Sequence, residues 1–156
     1  TWLRRQRQMC IRDRSKYNMN FLSKEKQTDL VLLILRITFG GSMIIGHGWG
    51  KLMRLFSGEP IEFGDPYGIG PTASLILATF AEFLCSVLVM LGLFTRLSVI
   101  PLIITMLTVV FVVHLGDEYG RVEKGILFLM AYIAILIGGP GRYSLDAIWR
   151  KDSVGV

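Results

Sequence analysis

A single carboxylate, Glu82, stands inside the 23-residue apolar run Ala73–Thr95. A run of that length spans a bilayer, which sets the charge near the midplane. A lone charge there costs roughly 3 kcal/mol on insertion scales, so it needs a partner or a task. The preceding apolar run carries Arg36, His47 and Lys51 at separations of eleven and four residues. At about 100° per residue, those separations return all three to one stripe of an α-helix. A rise of ~1.5 Å per residue sets Arg36 about 9 Å from one surface and His47 about 8 Å from the other. Glu82, about 15 Å deep on the same count, falls between them.

These residue types suit proton transfer. Glu82 and His47 are expected to exchange protons while Lys51 steadies a developing anion, the usual division of labour in general acid–base chemistry. Arg36, Trp49, His114 and Glu123 are expected to hold a substrate; His114 ends a third apolar run and Glu123 opens a fourth. Ionisable groups within membranes mostly face an interior or a wet cavity, which favours convergence of this set. The competing reading is an Arg36–Glu82 ion pair that merely joins two helices. In that case His114 and Glu123 meet interfacial water and Lys51 snorkels to the headgroups. No metal is expected, because the two His and two Glu lack ligand spacing within any one helix. No phosphate-binding glycine loop, nucleophile elbow or His-Glu-x-x-His pattern occurs.

Four spans would position these groups, at about Leu30–Met53, Thr72–Phe94, Leu97–Leu115 and Val122–Ile137. Thr28 or Asp29 is expected to cap the first, and Gly46-x-x-x-Gly50 to give it a small-residue face for close helix contact. Pro101 is expected in the first turn of the third, where proline is tolerated. Gly138-Gly-Pro-Gly141 breaks the fourth, and Tyr143–Lys151 reads as a short interfacial tail. The expected class is therefore all-α, a bundle of four transmembrane helices over residues 19–151, with a tail over 152–156. Lys24, Lys26, Arg96, Arg142, Arg150 and Lys151 outnumber the cations of the opposite loops, so both termini are expected in the cytoplasm.

The mean hydropathy of +0.52 over 156 residues fits a single membrane domain, and the net charge of +5 does not argue against it. Residues 1–18 hold six of the 17 basic residues and one of the 12 acids, leaving eleven of each sign in the rest. A nucleic-acid partner would rest on that segment alone, and none is expected. Met9-Cys-Ile-Arg-Asp-Arg14 resembles a translated transposon-end sequencing adaptor, so 1–18 is read as a non-native or disordered extension and the natural start is expected at Met19. Setting it aside leaves Cys85 as the one cysteine, too few for a Cys-x-x-Cys pair.

Several motifs together resemble the DoxX family of small bacterial membrane proteins. They are His47-Gly-Trp-Gly-Lys51, Phe63-Gly-Asp-Pro-Tyr-Gly-Ile-Gly70, Ala81-Glu82, Leu91-Gly-Leu-Phe-Thr-Arg96, the helix end at His114 and Gly139-Pro-Gly-Arg-Tyr-Ser-Leu-Asp146. The similarity runs over about Asp29–Asp146. It implies a multi-pass protein of the bacterial plasma (inner) membrane. Members are linked to quinone-coupled sulfur oxidation, thiol or oxidative-stress complexes, and quinone or catechol detoxification. The reading drawn from it is a redox-linked, quinone- or sulfur/thiol-associated oxidoreductase subunit. No haem axial pattern or flavin motif is evident, so its electrons are expected from a quinone or from a soluble or membrane partner protein, and a homo-oligomer is a further expected partner. The alternative is a non-catalytic scaffold or a small-molecule channel or transporter.

Overall fold

The computed structural model describes residues 23–154. The extension expected over 1–18 lies outside the described residues, as does the end of the tail. Every regular element described is a helix: α1 Lys24–Phe56, α2 Pro71–Leu91, α3 Thr95–Val113, α4 Tyr119–Gly138 and α5 Leu145–Val154. The chain is thus all-α. By length and composition α1, α2 and α3 are able to cross a membrane. α4 is 20 residues long, but Arg121, Glu123 and Lys124 crowd its first two turns and keep it short of that standard.

The helix ends follow from local chemistry and correct several expected boundaries. α1 begins a turn early, at Lys24, because the Ser23 hydroxyl accepts from the Lys26 amide at 3.4 Å. Thr28 and Asp29 therefore lie within the helix, and Asp29 instead accepts from the Arg142 amide at 3.0 Å. α2 opens on Pro71, whose missing N–H is no loss at a first helical position. It stops at Leu91 because Gly92 adopts φ 73°, the left-handed conformation that ends helices cheaply only at glycine. Asp146, arriving from α5, then caps α3. Its carboxylate accepts from the amides of Phe94 and Thr95 at 2.7 and 2.9 Å and from the Thr95 hydroxyl at 3.0 Å. With α3 starting at Thr95 rather than Leu97, Pro101 sits in the second turn, inside the helix.

α1 packs on α2 and α4, and α3 packs on α2 and α4. Met43, Cys85, Val89, Val99, Leu102, Met106, Leu129, Tyr132 and Ile135 form the shared core. The outward faces stay apolar: Ile34, Ile45, Leu77, Leu97, Phe111 and Ile137 are all exposed. Large apolar surface left open in this way is the mark of helices that meet lipid rather than water.

Each of the three spanning helices contains a π-helical turn, at Ile44–Gly48, Phe80–Cys85 and Val109–Val113. The Trp49 amide closes the first back to the Ile44 carbonyl, and His114 closes the third back to Val109 at 3.0 Å. A π turn takes up an extra residue and so rotates everything beyond it relative to an ideal α-helix.

Candidate functional site

The π turns lie at three of the ionisable residues singled out by the sequence. His47 lies in the first, Glu82 in the second, and His114 directly follows the third. Such turns recur at functional sites because they aim a side chain where α geometry would not.

Glu82 is 4% exposed, and its partner is neither Arg36 nor His47. The Lys51 ammonium donates to Glu82 Oε2 in a charge-assisted bond. The lysine side chain is 21% exposed and the glutamate side chain 5%, so the pair is open on the lysine side. The helices carrying it touch backbone to backbone. A Cβ built on Gly48 would lie 2.6 Å from the Glu82 carbonyl oxygen, and one on Gly40 3.1 Å from that of Ser86. Close approach thus runs through Gly40 and Gly48, whereas Gly46 and Gly50, expected to make it, have nothing within 4 Å. Glycines eight residues apart across a π turn share a face that an unbroken α-helix would also give, but the pair at 46 and 50 turns outward.

Two further residues complete the surroundings of Glu82. Tyr132 of α4 is fully buried, lies within the electrostatic reach of Glu82, and its hydroxyl donates to the Phe39 carbonyl at 3.4 Å. Ser86, one turn beyond Glu82, is fully buried. The Tyr132 hydroxyl lies toward it, but Ser86 Oγ completes no hydrogen bond of proper geometry with any protein group. A buried hydroxyl left in that state is a place where an ordered water or a ligand group bonds. Neither residue stands out in the sequence as a site residue. The one signal for Ser86 is its i+4 offset from Glu82, the spacing of facing side chains on a helix.

The rest of the expected set disperses. Exposed His47 meets Glu82 through no bond and instead sets its ring edge-on to Phe128 of α4, centroids 6.1 Å apart. Phe128 in turn lies 6.0 Å from the Tyr132 ring, so His47 is linked to the Glu82 surroundings only through aromatic contacts. Trp49 is 55% exposed and leans on Phe83, next to Glu82, at 6.2 Å. His114 Nδ1 bonds Asp117 at 2.8 Å, and that carboxylate also faces Arg121 at 3.6 Å. The histidine bond, then the arginine charge, hold the Asp117 carboxyl below its ordinary value. His114 and Asp117 flank a 460 Å³ groove between α3 and α4 that Glu82 does not line. Glu123 is exposed. Among the described residues no three His, Cys, Asp or Glu side chains gather as metal ligands.

Arg36 lies toward the opposite end and is wholly buried. Its guanidinium donates to the Tyr143 carbonyl, lies against Gly92, and feels the charge of Asp146. Nε and Nη1 have no protein partner. The Arg36–Glu82 pair is therefore absent, and His47 departs from the stripe expected on α1. Arg36 and Lys51 both face α2, but at different heights, Arg36 against Gly92 at its end and Lys51 against Glu82 ten residues earlier; His47 alone turns away, to Phe128 of α4.

Comparison with known proteins agrees with this architecture. The DoxX family model matches residues 31–115, over half of the chain. A Haemophilus influenzae protein described as uncharacterized is 27% identical over 135 residues, covering 82% of this chain and 96% of the relative. No solved structure matches. The match over the greater part of α1 to α3 makes the chain a member of the DoxX family, and a multi-pass membrane protein.

Proposed function

We propose that this DoxX family member is a redox-linked subunit of the bacterial inner membrane, in which Glu82 and Lys51 exchange protons with a small quinone- or thiol-class substrate. The observation that carries the reading is the buried side-chain pair at a π turn, open on the lysine side, with the unsatisfied Ser86 hydroxyl and Tyr132 beside it. A carboxylate joined to an ammonium can pass a proton without undoing any backbone bond. Lys51 then stabilises the anion left on a substrate, the electrostatic task general acid–base chemistry requires. Trp49 borders the approach to Glu82, while His47 and His114 serve the outer edge of the same half of the protein. α4 is the fourth span, its charged first turns at the outer surface, and both termini face the cytoplasm. Electrons are exchanged with the quinone pool, a quinol giving them or a quinone taking them, or with a partner protein bound to this subunit.

The test is quinone-dependent oxidoreductase activity in membranes that overproduce the chain. Glu82→Gln should lower it at unchanged protein level; full activity in that variant removes the mechanism. The scaffold reading keeps one observation in its favour, the tight backbone contact at Gly48 that a purely structural pair would also need. It predicts that Glu82→Gln and Lys51→Met change assembly and leave the activity of a co-purifying partner intact.

A further inference from the structure

At the Arg36 end, the first turn of α3, the end of α4 and the start of α5 enclose a cleft of 820 Å³. Four charged residues line it: Asp29, Arg96, Arg142 and Asp146. Three of these are engaged. Asp146 accepts three bonds from the start of α3, and Arg142 is held by Asp29 and Glu25. Arg96 differs. It has no hydrogen bond or ion pair among the described residues, and its guanidinium lies against Gly139, where a Cβ would come within 3.4 Å of Nη2. The backbone thus supports one side of a planar cation while its donors stay free. Below it, exposed Leu97, Ile100 and Ile104 form one apolar face of α3 that descends into the region facing lipid.

A free guanidinium above an apolar helix face matches an anionic head with hydrocarbon chains. We propose that this cleft binds an anionic phospholipid, with Arg96 donating to the phosphodiester and Leu97, Ile100 and Ile104 supporting an acyl chain. Arg is suited to phosphate because its fork of donors fits two oxygens at once. The cleft favours an anionic over a zwitterionic lipid because both of its carboxylates are already engaged, leaving none for a choline cation.

The full-length protein in detergent, offered equal phosphatidylglycerol and phosphatidylcholine, is read by native mass spectrometry. Phosphatidylglycerol should be retained in excess. Arg96→Gln should cut that retention about tenfold, the loss of a single charge-assisted bond. Arg96→Lys should keep most of it, and the melting temperature should not move in either variant. Equal retention of the two lipids by the wild type overturns the proposal, as does undiminished phosphatidylglycerol retention in Arg96→Gln. Displacement of the lipid by millimolar inorganic phosphate would assign the site to free phosphate instead and also overturn it. Glu82 plays no part in the experiment, so its outcome is separate from the proton-exchange reading.

Discussion

Around Arg36, charged side chains bond mostly to backbone. Arg36 donates to the Tyr143 carbonyl, Asp146 accepts from the amides of Phe94 and Thr95, and Asp29 accepts from the amide of Arg142. Around Glu82 the bond runs from side chain to side chain, Lys51 to Glu82, with an unsatisfied hydroxyl at its flank. The first pattern uses charge to fix helix ends, so disturbing any member releases main chain. The second leaves the main chain complete whichever way a proton moves. Buried charge thus has two uses here, and the type of partner separates them.

The largest break falls at the Arg36 end. In Gly92→Ala the new Cβ would collide with Arg36 Nη1 and lie 2.6 Å from the Ser144 Cβ, at a backbone φ of 73° that alanine disfavours. Both steric and backbone penalties apply, so we expect a loss of more than about 4 kcal/mol, or failure to assemble, in unfolding from detergent. Lys51→Met should cost about 3 kcal/mol by leaving the Glu82 charge buried and unpaired, at the low end of the range because the lysine is partly exposed. Adding Glu82→Gln should restore most of that, since the uncompensated charge is then gone. If the double variant were no more stable than Lys51→Met, the pair would not be a coupled unit.

Smaller effects sharpen the contrast. Gly48→Ala forces apart backbones that touch at Glu82 and should cost about 1–3 kcal/mol, whereas Gly46→Ala, in open space, should stay within about 0.5 kcal/mol. The smallest effect concerns the loop before α2. Asp65 accepts from Ile69 and Gly70 amides at 3.0 and 2.7 Å and from the Ser74 hydroxyl at 2.9 Å. Partial desolvation pushes its carboxyl up, but these bonds outweigh that and hold it below its ordinary value. A carboxyl lowered on folding adds stability that is complete above its unfolded value, about 3.9, and lost as pH falls through the folded one. Hydrogen exchange at the Gly70 amide should therefore stay protected down to about pH 4 and rise below it. Unchanged protection at pH 2 would remove Asp65 as the holder of the loop.

Three of the four expected spans are legible in the sequence because apolar runs of about twenty residues leave few alternatives. Their ends are less so. Ser23 and Asp146 act as caps, and Asp146 reaches Thr95 from 51 positions away, which no local pattern reveals. The content of the candidate site is half legible: Glu82 stands out for proton exchange and Lys51 for steadying an anion, yet Arg36 and His47 are the partners that depth suggests for the carboxylate. That expectation rests on depth alone, and the structure instead sets Arg36 against Gly92 and the Tyr143 carbonyl and His47, within the π turn at Ile44–Gly48, against Phe128. π turns arise from packing between helices, so their positions are invisible to a count of residues along one helix. Tyr132 escapes notice for a related reason, since an aromatic residue in an apolar helix reads as core until its neighbours are known.

If the Lys51–Glu82 pair performs chemistry while the Arg36 end holds the fold, activity and stability should separate at Glu82. Quinone-dependent turnover of Glu82→Gln in membranes, measured at matched levels of assembled protein, tests this most directly. Turnover should drop about a hundredfold or more, the range for removal of a general acid or base, while the melting temperature stays near that of the wild type. Turnover equal to the wild type would contradict the proposed chemistry and return Glu82 to a purely structural role.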